Sequence, residues 1–280
     1  ATRVFLDGSN LGKLAEGIKR SLPIIEVLTF FHNCETHFFL GALRQSKSPR
    51  ALAVLASNYL AERSAVRYSD KIICLSQRDS EKLRDIYGRG ATHISAMAMP
   101  DRMSPEARTV QGITQEKYAL FVGGTFYANR AGIEWYSREV APRVAMHTYV
   151  VGKGMEAMKA NLERRGNITV VGEVDDLAPW YTGAQVVVAP IFEGAGMKTK
   201  VAEALMFGKR IIGTPEAFSG YENTCDAVGH ICSDWHQFVT AINAESARPF
   251  VAFDANIRKL YESSYSRKAA QMRLIEAIET

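Results

Sequence analysis

Glu203 stands inside an apolar helical run, behind two glycines and two lysines: "FEGAGMKTKVAEALMFGKR" spans residues 192–210. Met197, Val201 and Leu205 recur at i, i+4 and i+8 and form an apolar stripe. At 100° per residue, Glu203 falls about 200° from Val201, off that stripe. The first amides of the helix, at Met197 and Lys198, have no partner within it, and Gly194 and Gly196 leave room for a ligand against the backbone. Such a terminus suits a phosphate. A carboxylate two turns in could accept hydrogen bonds from sugar hydroxyls. An ordinary strand–helix turn with a solvated glutamate fits the same residues, and the stretch alone leaves both readings open.

Other chemistries lack their spacing. "EALMFGKR" has no hydroxyl residue after its lysine, so it is no phosphate loop of the G-x-x-x-x-G-K-[ST] type. "GAGMKT" and "GKGMEA" stop at two glycines, short of a dinucleotide fingerprint, and there is no G-x-S-x-G elbow. His32 and His37 flank Glu35 without metal-ligand spacing, so no metal site is expected. Four cysteines without a C-x-x-C pair read as free thiols of a reducing compartment.

The elements that would position Glu203 alternate. Strand-like runs at 3–7, 25–32, 71–76 and 92–97 are separated by helical stretches, including a long one at 50–69 and one that stops at Gly88. A second series starts at Tyr118, with strands at "YALFVGG", "HTYVVGKG", "NITVVGEV", "AQVVVAPI", "RIIGT" and "VGHIC". Between the first two of these, a helix is expected from about Asn129 to Ala145. Apolar strands separated by helices predict parallel sheets covered on both faces. Gly123, Gly152, Gly172 and Gly194 fall at the carboxyl ends of the strands, where ligands of Rossmann-like sheets bind. Residues 100–116, with two prolines and little periodicity, read as a linker. The tail, 253–280, reads as one charged amphipathic helix that could pack back across the first domain. The expected division is 1–105, 106–252 and 253–280.

Of the 280 residues, 47% are hydrophobic, enough for two domains with cores. The net charge of +4 suits an anionic small substrate or a weakly acidic membrane surface and is too small to argue for nucleic acid. No apolar run approaches the roughly 20 residues of a membrane span, and no secretory signal pattern is present. Arg44, Lys47 and Arg50 cluster beside the apolar stretch 38–43, a pattern that reads as a solvated loop before a core helix or, in the alternative, as docking on anionic lipid.

"FEGAGMKTKVAEALMFGKRIIGTPEAFSGYE" resembles the donor-site segment of GT-B glycosyltransferases of the retaining family 4, also called group 1. "YALFVGGTFYANRAGIEWYSREVAPRV" is similar to the opening of their C-terminal domain, and "GNITVVGEVDDLAPWYTGAQVVVAP" to the strand and loop before the donor site. The likeness is strong over 118–222 and weaker, though continuous, over 3–88. It implies an α/β GT-B fold: two Rossmann-like domains facing across a cleft, the first lacking its opening strand and glycine-rich loop. It implies transfer of a sugar from a nucleotide-diphosphate sugar to a glycan, lipid-linked glycan or small molecule with retention of configuration.

By the same resemblance Glu203 meets the ribose hydroxyls, and Gly196, Met197 and Lys198 meet the diphosphate and donor sugar. Gly172 and Val174 receive the base, and His32 lies near donor phosphate and acceptor. Gly123 and Gly194 complete the donor site. Arg130, Lys153 and Lys198 are the candidates to neutralise the diphosphate in place of a metal, so no cofactor is expected. His32 and Lys198 are the catalytic candidates. Glu193 lies ten positions before Glu203 where the family's E-x7-E motif has eight, which leaves its role open. The implied partners are a nucleotide sugar and a glycan or lipid-linked acceptor. The expected location is cytoplasmic, with peripheral contact to the inner face of the membrane. A binding module without turnover and a nucleotide-sugar epimerase of the same fold are the rival readings.

Overall fold

The structure is a computed structural model, and it describes residues 1–103, 114, 116–194, 196–222 and 224–280. Most of the expected linker therefore lies outside the described residues. The chain divides into two compact units. The first comprises Ala1–Met97, Ala195–Met197 and Ala270–Thr280, and the second Ala98–Gly194 and Lys198–Ala269.

In the first unit β1 (Arg3–Asp7), β2 (Glu26–Phe31), β3 (Lys71–Cys74) and β4 (His93–Ile94) form a parallel sheet in sequential order. Between the strands run α1 (Gly12–Ser21), α2 (Glu35–Ser46), α3 (Pro49–Tyr68) and α4 (Gln77–Tyr87). Val27, Leu28 and Phe31 of β2 and Ile72, Ile73 and Cys74 of β3 are buried, as strands covered on both faces must be. Ser48 caps α3 by accepting from the Ala51 amide, with Pro49 at the first helical position; Ser76 caps α4 in the same way through Asp79. The apolar stretch 38–43 is part of α2 and not a loop. Glu62 of α3 is fully buried and accepts the Glu35 and Thr36 amides at 2.7 and 3.0 Å, so its carboxylate satisfies the free N-terminus of α2.

The second unit holds six parallel strands in the order β10-β9-β8-β5-β6-β7. They are β5 (Tyr118–Val122), β6 (His147–Val151), β7 (Ile168–Gly172), β8 (Val186–Ala189), β9 (Ile211–Gly213) and β10 (Gly229–Ile231). The helices are α5 (Tyr127–Glu139), α6 (Lys159–Glu163), α7 (Ala178–Gly183), α8 (Thr199–Met206), α9 (Cys225–Val228), α10 (Trp235–Ala247) and α11 (Ala255–Leu260). The expected helix at 129–145 ends at Glu139, and a short 3-10 turn, Ala141–Arg143, follows. Strands β5 and β8 are buried at every position, which fixes them at the centre. Gly132 of α5 makes a close approach possible: a β-carbon there would lie 1.8 Å from the Pro190 carbonyl oxygen beyond β8.

The tail is not one helix. After α11 come a π-helical turn, Tyr261–Tyr265, and then α12 (Arg267–Glu279). The break is at Ser266, whose backbone is extended. Residues Ala270–Thr280 belong to the first unit, where Lys71 Nζ donates to the Ala277 carbonyl at 3.0 Å.

Candidate functional site

The order of the second sheet contains one reversal. From β5 the chain adds β6 and β7 on one side, then returns to place β8, β9 and β10 on the other. A crevice opens at such a point, outside the carboxyl ends of the two strands that flank it. Here those strands are β5 and β8, and the loops leaving them carry Gly123–Gly124 and the glycine-containing segment before α8.

Glycines line the adjacent strand ends. The Gly123 amide donates to the Val151 carbonyl at 2.9 Å and the Gly152 amide to the Gly172 carbonyl at 2.7 Å. Gly152 has a φ of +150°, and a β-carbon there would lie 2.2 Å from the Gly123 oxygen. Backbone is thus packed on backbone across β5, β6 and β7. Gly172 is buried beneath the Glu156 carboxylate, which also accepts the Glu173 amide at 2.8 Å. Val174 is half-buried just beyond.

Helix α8 begins at Thr199, two residues later than the apolar stripe suggests. Met197 lies before it and belongs to the first unit, where its sulfur receives the Met97 amide at 3.4 Å. The helix is also buried on more than one side: Val201 and Leu205 are covered, and so are Lys200, Ala202, Ala204 and Met206. Glu203 is half-buried and accepts the Tyr181 hydroxyl at 3.1 Å. Burial raises its pKa above the ordinary carboxyl range, against the pull of Tyr181, Arg102 and Lys200.

Lys198, at the N-cap of α8, pairs with Glu216 at 2.9 Å, both side chains mostly covered, while the Tyr221 hydroxyl donates to its carbonyl. Gly194 lies beside the Lys198 side chain. Glu193 is exposed and, with Glu216, raises the pKa of Tyr127, whose main cause is burial. Arg130 and Lys153 are exposed, and Lys153 stands 3.5 Å from Glu173.

Sequence reasoning missed Lys200. Its residue is 6% exposed, its Nζ donates to Asn129 Oδ1 at 2.5 Å, and it lies over the Phe121 ring. Asn129 in turn donates to the Gly124 carbonyl at 2.9 Å. The K-x-x-E spacing of Lys200 and Glu203, one turn apart on one face, was the available signal. Tyr181 carried none.

In the first unit, His32 at the end of β2 pairs with Asp7 at the end of β1, Nε2 to Oδ1 at 2.7 Å, both exposed. Asp7, Gly8, Ser9, Asn10, His32 and Glu35 line one cavity of about 350 Å³. Gly196 also belongs to this unit; it has a φ of +65° and lies against Asn33 Oδ1. Gly123, Gly172, Gly194, Lys198 and Glu203 thus belong to the second unit, while His32, Gly196 and Met197 fall in the first. Among the described residues no group of three or more His, Cys, Asp or Glu side chains could hold a metal ion. Cys34, Cys74 and Cys232 are buried free thiols.

Residues 116–245 match the family model of glycosyl transferases group 1. The segment runs from just before β5 into α10 and holds the reversal in strand order, the glycine-lined strand ends and Glu203. The glycosyl transferases group 1 match supports glycosyl transfer. Solved structures add likeness of fold. WaaG, a glycosyltransferase involved in lipopolysaccharide biosynthesis, is 14% identical over 94% of this chain and 79% of that chain, with a TM-score of 0.62. WaaB, a lipopolysaccharide outer core galactosyltransferase in its apo form, is 13% identical over 99% of each chain, TM-score 0.59. Anabaena Alr3699/HepE in complex with UDP-glucose is 13% identical over 99% of this chain and 78% of that chain, TM-score 0.63. A search of curated proteins returns no match. The α/β class and the pair of parallel sheets agree with the fold of these glycosyltransferases. Among the described residues no helix is long and apolar enough to cross a membrane.

Proposed function

We propose that the chain transfers a sugar from a nucleoside-diphosphate sugar to a glycan or lipid-linked acceptor, with retention at the anomeric carbon. The observation that carries this reading is the meeting of glycine-lined loops and the N-terminus of α8 at the strand-order reversal of the second unit. In the proposal the loop after β7, with Gly172 and Val174, receives the base, and Glu203 accepts the ribose hydroxyls. Lys198, Arg130 and Lys153 neutralise the diphosphate, and no divalent metal takes part. Preorganised positive charge of this kind stabilises a departing diphosphate. Glu193 has no assigned step. His32, with Asp7 beside it, lines the acceptor cavity of the first unit. The UDP-glucose held by Anabaena HepE supports a nucleotide-sugar donor.

The test is a thermal-shift panel of UDP, GDP, ADP and their sugars, followed by product analysis with the donor that binds. Transfer with the anomeric configuration kept, and undiminished by EDTA, is the expected result. Inverted product removes the retaining mechanism, and loss of activity in EDTA restored by magnesium or manganese removes the metal-free one. Affinity without transfer or hydrolysis would make the protein a binding module. Isomerised nucleotide sugar would make it an epimerase.

Work at the cytoplasmic face of a membrane belongs to the same proposal. From Thr36 to Ala61 the helical pair α2–α3 carries Arg44, Lys47 and Arg50 and no acidic residue. All three cations are exposed, as are Leu52 and Val54. Apolar side chains beside uncompensated positive charge suit anionic lipid.

A further inference from the structure

Lys200 and Asn129 join the first turns of two helices, α8 and α5, that follow the two strands flanking the reversal, β8 and β5. The ammonium is therefore interred where two helix N-termini converge, each carrying partial positive charge. It has three protons to donate. Among the described residues Asn129 Oδ1 is its one hydrogen-bond acceptor, and the Phe121 ring takes another face. An interior ammonium is normally fully hydrogen-bonded or paired. Contrast Lys209, between α8 and β9 and also buried, which donates to three carbonyl oxygens. Lys200 is left with donors to spare, one side chain away from the Gly123–Gly124 loop.

We infer that Lys200 acts as a proton-coupled counter-charge for the donor diphosphate: the anion's arrival keeps or places a proton on its amine, and Asn129 transmits the contact to the Gly124 loop. The inference rests on the proposed donor site. The charged groups acting on Lys200 are Glu203, one turn on, which favours the charged amine, and Lys198, which disfavours it. Helix α5 presents the neutral Asn129 and β5 the Phe121 ring. Burial is the largest influence and lowers the amine to about 8. The free protein therefore loses this charge just above physiological pH. A diphosphate at the crevice favours the charged form and raises the pKa again. Binding must then take up protons in alkaline solution, because a pKa that differs between free and bound states links affinity to pH.

Calorimetry of UDP, GDP and ADP at pH 8.3, in two buffers of different ionisation enthalpy, reads that uptake directly. Each nucleotide is compared with its nucleoside. Ionisation of the ligand contributes little, since at this pH the diphosphate groups are deprotonated and the uracil and guanine N–H groups, which ionise only at higher pH, still hold their protons. The expected result is uptake of a large fraction of one proton for the nucleotide that binds and none for its nucleoside. Affinity should then fall by up to about tenfold per pH unit above 8. Lys200→Met should abolish the uptake and flatten the pH dependence. Lys200→Arg, charged at every accessible pH, should bind without uptake and with affinity level from pH 7 to 8.5. Tight binding by the wild type without proton uptake overturns the inference and leaves the donor site standing, and so does uptake that survives in Lys200→Met. Failure of all three nucleotides to bind overturns the donor site and the inference together. The wild-type measurement decides even if a variant fails to fold.

Discussion

Tyr181 of α7 donates its hydroxyl to the Glu203 carboxylate of α8 at 3.1 Å, across 22 residues of sequence. The phenol is fully buried and stacked on Phe207, ring centres 4.5 Å apart and planes within 5°. One carboxylate oxygen is therefore held in a fixed direction before any ligand arrives, which reduces what a bound ribose must still organise. The half-burial of Glu203 also strengthens any hydrogen bond it accepts.

Replacing Glu203 should cost nucleotide affinity. A hydrogen bond to a charged group contributes about 1.5–3 kcal/mol, so Glu203→Gln should weaken UDP, GDP or ADP binding at least about tenfold. Tyr181→Phe keeps the stacking on Phe207 and loses only the positioning bond, so a smaller loss of about two- to tenfold is expected. Calorimetry on folded variants checks both. Affinity unchanged in Glu203→Gln would take this residue out of the site.

The same carboxylate should lower stability at neutral pH. Its folded-state pKa is raised, with burial the main cause. Folding therefore favours the protonated form. That contribution is fully present below the ordinary glutamate pKa and is lost as pH rises through the raised value. Glu203→Gln, neutral throughout, should gain in melting temperature relative to wild type between pH 4 and pH 7.5. A constant difference across that range would mean the carboxylate is as well solvated as in the unfolded chain.

The sheets were legible because their strands are nearly continuous apolar runs. "YALFV" and "VVVA" have no other home than the middle of a parallel sheet, and both are buried throughout. The strand-end glycines were legible for a related reason: space is short at three of them, where a β-carbon would meet the Gly123 backbone at Gly152 and the side chains of Asn129 and Glu156 at Gly123 and Gly172. The start of α8 was misjudged because Met197 continues the stripe in sequence while its sulfur packs in the first unit. The break in the tail has one local mark, Ser266, whose Oγ accepts the Ala269 amide as an N-cap, and Ser263 and Ser264 just before it make that mark ambiguous in the sequence. Lys200 and Tyr181 escaped notice because their partners are set by tertiary packing: Asn129 is 71 positions from Lys200. A buried lysine looks like a surface one until the neighbours are known.

Membrane docking by the first unit should depend on charge. Arg44, Lys47 and Arg50 are exposed on or beside α2 and α3. Each cation near an anionic surface contributes about 1 kcal/mol. Flotation with vesicles containing phosphatidylserine or phosphatidylglycerol should carry the protein, and neutral phosphatidylcholine vesicles should not. Changing all three residues to Gln should weaken binding about a hundredfold and raise no folding defect. Equal binding to both vesicle types, or to neither, counts against docking through this patch.

Lys209 should connect stability to the site from behind it. Its amine, 1% exposed as a residue, donates to the carbonyls of Thr182 and Ala184 at the end of α7 and of Val251 beyond α10. Lys209→Met leaves those three carbonyls without this donor, at about 1–3 kcal/mol for a buried group left unpaired, so a loss of roughly 3 kcal/mol is expected. Burial lowers the amine to about 7. The unfolded chain holds that proton up to the ordinary lysine range, so between about pH 7 and 10 it binds more protons than the folded one. Stability must then gain a component that rises with pH over this window. Denaturation of wild type at pH 6.5 and 9.5 should show the rise, and Lys209→Met should lack it. The variant should also bind nucleotide more weakly, because Thr182 follows Tyr181 and the end of α7 fixes where that phenol meets Glu203. Nucleotide affinity equal to wild type in a destabilised Lys209→Met would show that α7 holds Tyr181 in place without this anchor.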